Sequence, residues 1–294
     1  MSYDTHTSDS SRLPIDIGRR GFSALLTVTV ALVAGTIVLG VATRTTGSGL
    51  ACDANWPVCD GGFLNLLPQG RPSFWEWFHR LVAMFAGFTI VASALVGYFD
   101  EAVDRRITGL VVAGALLTPI QVLLGRETVL TYEYEILNLH FWTAIVIFVC
   151  FVLALVIALH RRLTGRHLVA ALVVAALTVP AQVILSPLFI SQNTPTTLTI
   201  QMVLLLTLVG AVVLATVVGR AVLEGRLPRV AIGSGVVLTA VTLFLSRESV
   251  MTVSPALDLL YVLAAGALIV TLLAGAWASR ADLRGERSGA PHSS

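Results

Sequence analysis

Charge is what this chain has least of. Only 12% of its 294 residues are charged, against about 25% in a soluble globular domain, while 56% are hydrophobic and the mean hydropathy is +0.85. Those values exclude a soluble globule and describe an integral membrane protein. Lysine is absent altogether: all 19 basic residues are arginine, a compositional bias from which no mechanism follows. The net charge of +2 likewise identifies no partner, because in a membrane protein the distribution of charge matters and its sum does not. No nucleic-acid partner is expected. Cysteine is also scarce. Three residues exclude a disulfide framework, although Cys52 and Cys59 share a polar loop and can pair, whereas Cys150 stands alone in an apolar run and reads as packing.

What is present is a series of apolar runs. Crossing a bilayer takes about 20 helical residues, and suitable stretches lie at Phe22–Ala42, Phe78–Phe99, Ile107–Leu124, Ile136–Leu159, Leu168–Leu185, Leu198–Gly219, Val230–Leu245 and Ala256–Ala278. The expected fold is all-α, with eight transmembrane helices. Residues 1–20 are polar and the run after them is too long for the apolar core of a secretory signal, so it is expected to be the first span. Arginine sets the orientation. Arg12, Arg19, Arg20, Arg105, Arg106, Arg161, Arg162, Arg166, Arg220, Arg226, Arg229, Arg280, Arg284 and Arg287 fall on one side, and Arg44, Arg71, Arg80, Arg126 and Arg247 on the other. The positive-inside rule then places both termini in the cytoplasm, and the loop carrying Cys52 and Cys59 on the outer face of the cell membrane, where a disulfide persists.

The chain also repeats. A shift of 121 residues lays the segment beginning at Leu116 on the one beginning at Val237, with Leu117, Thr118, Leu124, Arg126, Glu127, Val129 and Thr131 each meeting its own residue type. The expected organisation is two tandem four-helix bundles related by an axis along the membrane normal: residues 22–160 and 161–280, with cytoplasmic tails at 1–21 and 281–294. The halves differ in content. His79 and His140 lie in the second and fourth helices, no histidine is expected in any helix of the second half, and the shift sets Tyr261 opposite His140, with Gln201 as the polar residue nearest the counterpart of His79. His6, His160, His167 and His292 read as ordinary solvated residues.

An ionisable residue inside a transmembrane helix costs several kcal/mol unless it is paired or ligated, which makes it a functional candidate. His79 and His140 should sit at similar depth near the outer face. Two neutral imidazoles so placed on neighbouring helices can hold haem iron axially within a bundle; each taken alone could equally hydrogen-bond an adjacent helix. Glu76, one helical turn before His79 in WEWFHR, shares its face and is a candidate general acid or base at the membrane boundary, or else a partner for Arg80 or Arg71. Arg126, in GRETVL, either meets a haem propionate or pairs with Glu127. A Cys52–Cys59 disulfide is the default for CDANWPVC and is either a brace or a redox element. Other classes remain open: a non-catalytic membrane haem protein, either electron carrier or haem chaperone, and a transporter. Ligands confined to one face weigh against transmembrane electron transfer, and the lack of charged midplane residues weighs against transport.

The run TRTTGSGLACDANWPVC, then EWFHR, GRETVL and NLHFW in an eight-helix chain of two halves, resembles haem A synthase. The resemblance implies oxidation of the C8 methyl of haem O to the formyl group of haem A by successive hydroxylations. It implies His79 and His140 flanking the substrate haem, Glu76 assisting the proton chemistry, and Cys52 and Cys59 as an outer-loop disulfide. It further implies haem O synthase and terminal-oxidase assembly machinery as partners, besides membrane lipid. Two-half members of that family usually carry a second histidine pair holding a b-type haem and a second cysteine pair. This sequence has neither, and its C-terminal half is expected to be a scaffold without a second haem.

Overall fold

The computed structural model describes residues 18–50, 71–131, 133–186, 189–190, 194–252 and 254–288. Cys52 and Cys59, and with them the expected disulfide, lie outside the described residues. Among the described residues there are eight long helices: α1 (Gly18–Thr45), α2 (Arg71–Phe99), α3 (Arg105–Leu130), α4 (Tyr134–Leu159), α5 (Gly165–Ile184), α6 (Pro195–Val222), α7 (Arg226–Thr252) and α8 (Pro255–Ser288). All eight are long and apolar enough to cross a membrane. At 1.5 Å per residue the 26 residues of α3 or α4 extend for about 39 Å, more than the hydrocarbon thickness of about 30 Å. Large apolar side chains such as Phe88, Leu116, Leu177, Val270 and Trp277 point outward and are exposed, as lipid-facing residues must be. The protein is a multi-pass membrane protein.

The helix ends follow local chemistry. Asp104 accepts a hydrogen bond from the Arg106 amide at the start of α3, and Thr194 does the same for the Thr197 amide ahead of α6, whose first residue is Pro195; both satisfy amides that have no partner within the helix. Thr164 and His167 cap α5 reciprocally. That cap starts α5 at Gly165, before the apolar run, and so brings His167 into the first helical turn. The second half therefore does hold one helical histidine, contrary to expectation, with its ring turned back to the Thr164 amide and away from any bundle interior. At the other end of the chain, α8 continues past the expected Ala278 to Ser288, because polar residues outside the apolar run can still prolong a helix.

In packing, α1 lies against α2 and α4, and α3 lies between α2 and α4; α5 lies against α6 and α8, and α7 against the same two. Helix α6 also meets α1 and α4. Its two faces serve two cores. Met202, Leu205, Leu206 and Val209 join the cluster built on Leu26, Val111 and Phe151, while Leu208, Val212 and Ala215 join Leu168, Leu172 and Leu268. The second cluster is the denser in small and fully buried residues, with Ala175, Ala215, Leu168 and Leu268 all at 0% exposure.

Candidate functional site

A cavity of about 230 Å3 lies among α1, α2, α3 and α4. Its walls come mostly from apolar side chains, among them Val33, Ile37, Ile90, Val129 and Ile147, and its polar content is concentrated in Glu76, His79, Gln121, His140 and Arg44. The two histidines expected to act together thus line one space. Each is seated by a glycine on the neighbouring helix. A Cβ built on Gly40 of α1 would stand 3.2 Å from His79 Nε2, and one on Gly125 of α3 would stand 3.1 Å from His140 Cε1. Interiors packed to crystal-like density respond to a single carbon, so the absence of side chains at these two positions is what admits the imidazoles.

His140 is further tied to α3 through Gln121, whose Nε2 is 3.3 Å from His140 Nε2. The amide nitrogen can only donate, which leaves His140 Nε2 as the acceptor, carrying a lone pair, in a neutral ring. Gln121 follows Pro119 by two residues within α3. Two buried atoms of this wall, Gln121 Oε1 and His140 Nδ1, have no hydrogen-bond partner among the described residues. Buried polar atoms are normally satisfied, so this wall has hydrogen-bonding capacity that the protein alone leaves unfilled.

Glu76 is 5% exposed and lines the cavity. Its Oε1 receives a hydrogen bond from Arg80 Nε at 2.6 Å, one turn further along α2. The carboxylate is therefore both a cavity residue and the partner of Arg80, and the two alternatives left by the sequence are compatible. The start of α2 is aromatic on its outer surface, where Phe74 stacks on Phe78 with ring centroids 5.7 Å apart and Trp75 is exposed, as interfacial anchors are.

Arg126 does not line this cavity. It is 44% exposed at the side chain and pairs with the adjacent Glu127 at 2.5 Å. The arginine that reaches the cavity is Arg44, in the TRTTGSG motif. That motif ends α1: the Gly47 amide donates to the Arg44 carbonyl, and Gly47 has φ 70°, a left-handed conformation that favours glycine at a helix C-terminus. Thr43 Oγ1 donates to the Trp75 carbonyl at 3.3 Å, fastening the end of α1 to the start of α2. Arg44 is thereby held in the last turn, facing inward.

The second half touches the site from outside. Arg247 of α7 donates through Nε to Asn138 Oδ1 at 3.0 Å and lies 4.6 Å over the Phe141 ring; Phe244 stacks on Trp142 at 6.4 Å. The residues gripped, Asn138, Phe141 and Trp142, flank His140 in NLHFW. By contrast Tyr261, placed opposite His140 by the 121-residue register, is buried at 3% exposure and lines neither this cavity nor the smaller one beside it. Gln201 lines that smaller cavity.

The sequence model of COX15-CtaA, described as cytochrome oxidase assembly protein, matches residues 23–226, more than half of the chain. The chain belongs to this family. Similar proteins include a haem A synthase of Bacillus licheniformis, 28% identical over 44% of this chain and 41% of that protein, and one of Listeria welshimeri, 26% identical over 45% of each. A protohaem IX farnesyltransferase of Haloarcula marismortui is 33% identical over 46% of this chain and 28% of its own length. This chain spans less than half the length of each of these relatives.

The residues of this wall are of the kinds that could hold a haem. Two histidines from different helices share one largely apolar cavity, two glycines leave room for their rings, and the unpartnered Gln121 and His140 atoms stand in the same wall.

Proposed function

We propose that this protein is a haem A synthase, which oxidises the C8 methyl of haem O to a formyl group by successive hydroxylations within the membrane. The observation that carries the reading is the meeting of His79, His140 and Glu76 on a single cavity between α1 and α4. His79 and His140 would hold the haem iron when it is bound. Haem supplies the redox chemistry when bound, and the protein positions it and handles protons. Each hydroxylation at the methyl carbon breaks a C–H bond and forms a C–O bond to the oxygen of a water molecule, releasing two protons and passing two electrons to an external electron acceptor; Glu76, held in place by Arg80, is the carboxylate on the same cavity that can take a proton. The apolar walls keep bulk water out and so strengthen the electrostatic influence of these few groups.

Family membership and relatives named haem A synthase support the reaction class. Relatives named protohaem IX farnesyltransferase support a farnesylated haem as substrate and a haem O synthase as the partner that supplies it; terminal-oxidase assembly machinery takes the product. The cysteine-bearing loop lies on the outer face, with both termini inside, and the chain is organised as two four-helix halves of which the second is a scaffold without its own haem.

Co-expression with a haem O synthase in cells lacking haem A, followed by chromatography of extracted haems, tests the activity. Haem A or its hydroxylated intermediate is expected. Unmodified haem O alone, with folded protein present, would favour a haem-binding protein without catalysis.

A further inference from the structure

The helices of the second half do more than stand beside the first. Next to the histidine cavity lies a smaller one of about 80 Å3, which shares Val41, Arg44 and Phe141 with it and reaches into the second half through Gln182, Gln201 and Arg247. A single water occupies about 30 Å3 of liquid, so this space suits a small polar group and is far too small for a porphyrin. Its polar side chains are dominated by donors. Arg44 gives Nη2 to Met251 Sδ at 3.0 Å, a weak acceptor, and among the described residues neither Arg44 nor Arg247 forms a salt bridge with a carboxylate. Glu248, next to Arg247 in sequence, accepts from the Tyr134 hydroxyl instead. Gln201 Nε2 donates to the Gln182 carbonyl at 3.3 Å, and the Gln182 side chain, 5% exposed, keeps its Nε2 without a partner.

Two guanidinium groups without a carboxylate partner and an unpartnered buried amide donor line one space of carboxylate size and suit an anion, with Arg247 also donating to Asn138 Oδ1 and the Leu137 carbonyl. Arginine is suited to that task, since its planar donors match the two oxygens of a carboxylate. The large cavity also explains which anion. Arg44 lines both spaces, so a group reaching from one to the other passes it. We infer that Arg44, Arg247 and Gln182 form a carboxylate site, built across the two halves, for the propionate side chains of the haem. The inference rests on the reading that His79 and His140 hold that haem. It replaces Arg126, which is outward and paired with Glu127, and it gives α7 a direct role in substrate binding.

The test is a Soret titration of the purified full chain with protohaem and with protohaem dimethyl ester, whose propionates are blocked. Hydrogen bonds to charged groups contribute enough that the wild-type chain should bind protohaem about ten- to a hundredfold more tightly than the ester. Arg44→Gln and Arg247→Gln should each erase most of that preference while leaving affinity for the ester within about twofold. Equal binding of the two compounds by wild type, or a preference retained in both variants, overturns the site and leaves the histidine reading standing. A variant that weakens both compounds alike shows a packing role and also counts against it. If acetate or chloride strengthens ester binding in wild type but not in the variants, and wild type does not prefer protohaem, the cavity takes a free anion instead. A wild-type chain that binds neither compound overturns the histidine reading and this inference together.

Discussion

The two ends of the 121-residue register show how one helical arrangement can either hold a site or close it. In the first half Gly125 of α3 leaves room for His140 of α4, and Gln121 one turn earlier reaches the ring. In the second half the same positions read Ser246 on α7, Tyr261 on α8 and Thr242. Tyr261 lies beside Ser246, and both Tyr261 and Thr242 are buried. Where a glycine and a histidine stand, both line one cavity; where a serine and a tyrosine stand, the tyrosine lines neither cavity and the serine only the smaller one. The comparison teaches that glycine decides as much as histidine does. A histidine opposite a bulkier residue would have nowhere to put its ring.

The comparison breaks most completely at the histidines. His79→Ala or His140→Ala should abolish a low-spin bis-histidine absorption spectrum in protein purified with haem, and a spectrum that survives in both variants would remove the assignment. Next in size is Glu76→Gln, which keeps the shape of the side chain and removes the base. Turnover should fall by about a hundredfold or more, the usual contribution of a positioned acid or base, while the spectrum of bound haem persists; unchanged turnover would return Glu76 to the role of partner for Arg80. Smaller again is the effect of filling the seats. Gly125→Val or Gly40→Val should cost about 1–3 kcal/mol of overpacking, read as weaker haem binding by titration, whereas Gly235→Val, facing Leu272 in the second half and lining neither cavity, should leave haem binding unchanged. Equal losses from the two halves would contradict the asymmetry. The mildest expected effect is in the loop: replacing Cys52 and Cys59 together with serine removes a small-ring constraint of about 2–3 kcal/mol in the chain-entropy account. The protein should remain inserted with partial turnover, and two alkylatable thiols in protein kept under oxidising conditions would show that no disulfide forms.

Much of this was legible in the residues because a bilayer makes composition decisive. Each apolar run found its helix, and His79 and His140 stood out because a polar ring in such a run needs a reason. The same logic was available for Gln121, an amide within the apolar run of α3, and passing over it missed the side chain that touches His140. Arg44 was not legible. Five arginines are expected on the outer side, and which of them turns inward depends on how Gly47 ends α1 and how Thr43 fastens it to α2, facts of three-dimensional arrangement. Arg126 looked equivalent to Arg247 by repetition, yet one pairs with its neighbour at the surface while the other crosses to Asn138 and Phe141. Gly40 and Gly125 could not be told from other glycines of the chain until the rings they face were placed.

The central claim is a single haem site, in the first half only. Haem content per chain, measured together with electron paramagnetic resonance on the purified protein, tests it most directly. At most one low-spin bis-histidine haem per polypeptide is predicted, lost in His140→Ala and retained in Tyr261→Phe. A second bis-histidine haem per chain, or a haem that disappears with Tyr261, would contradict the account.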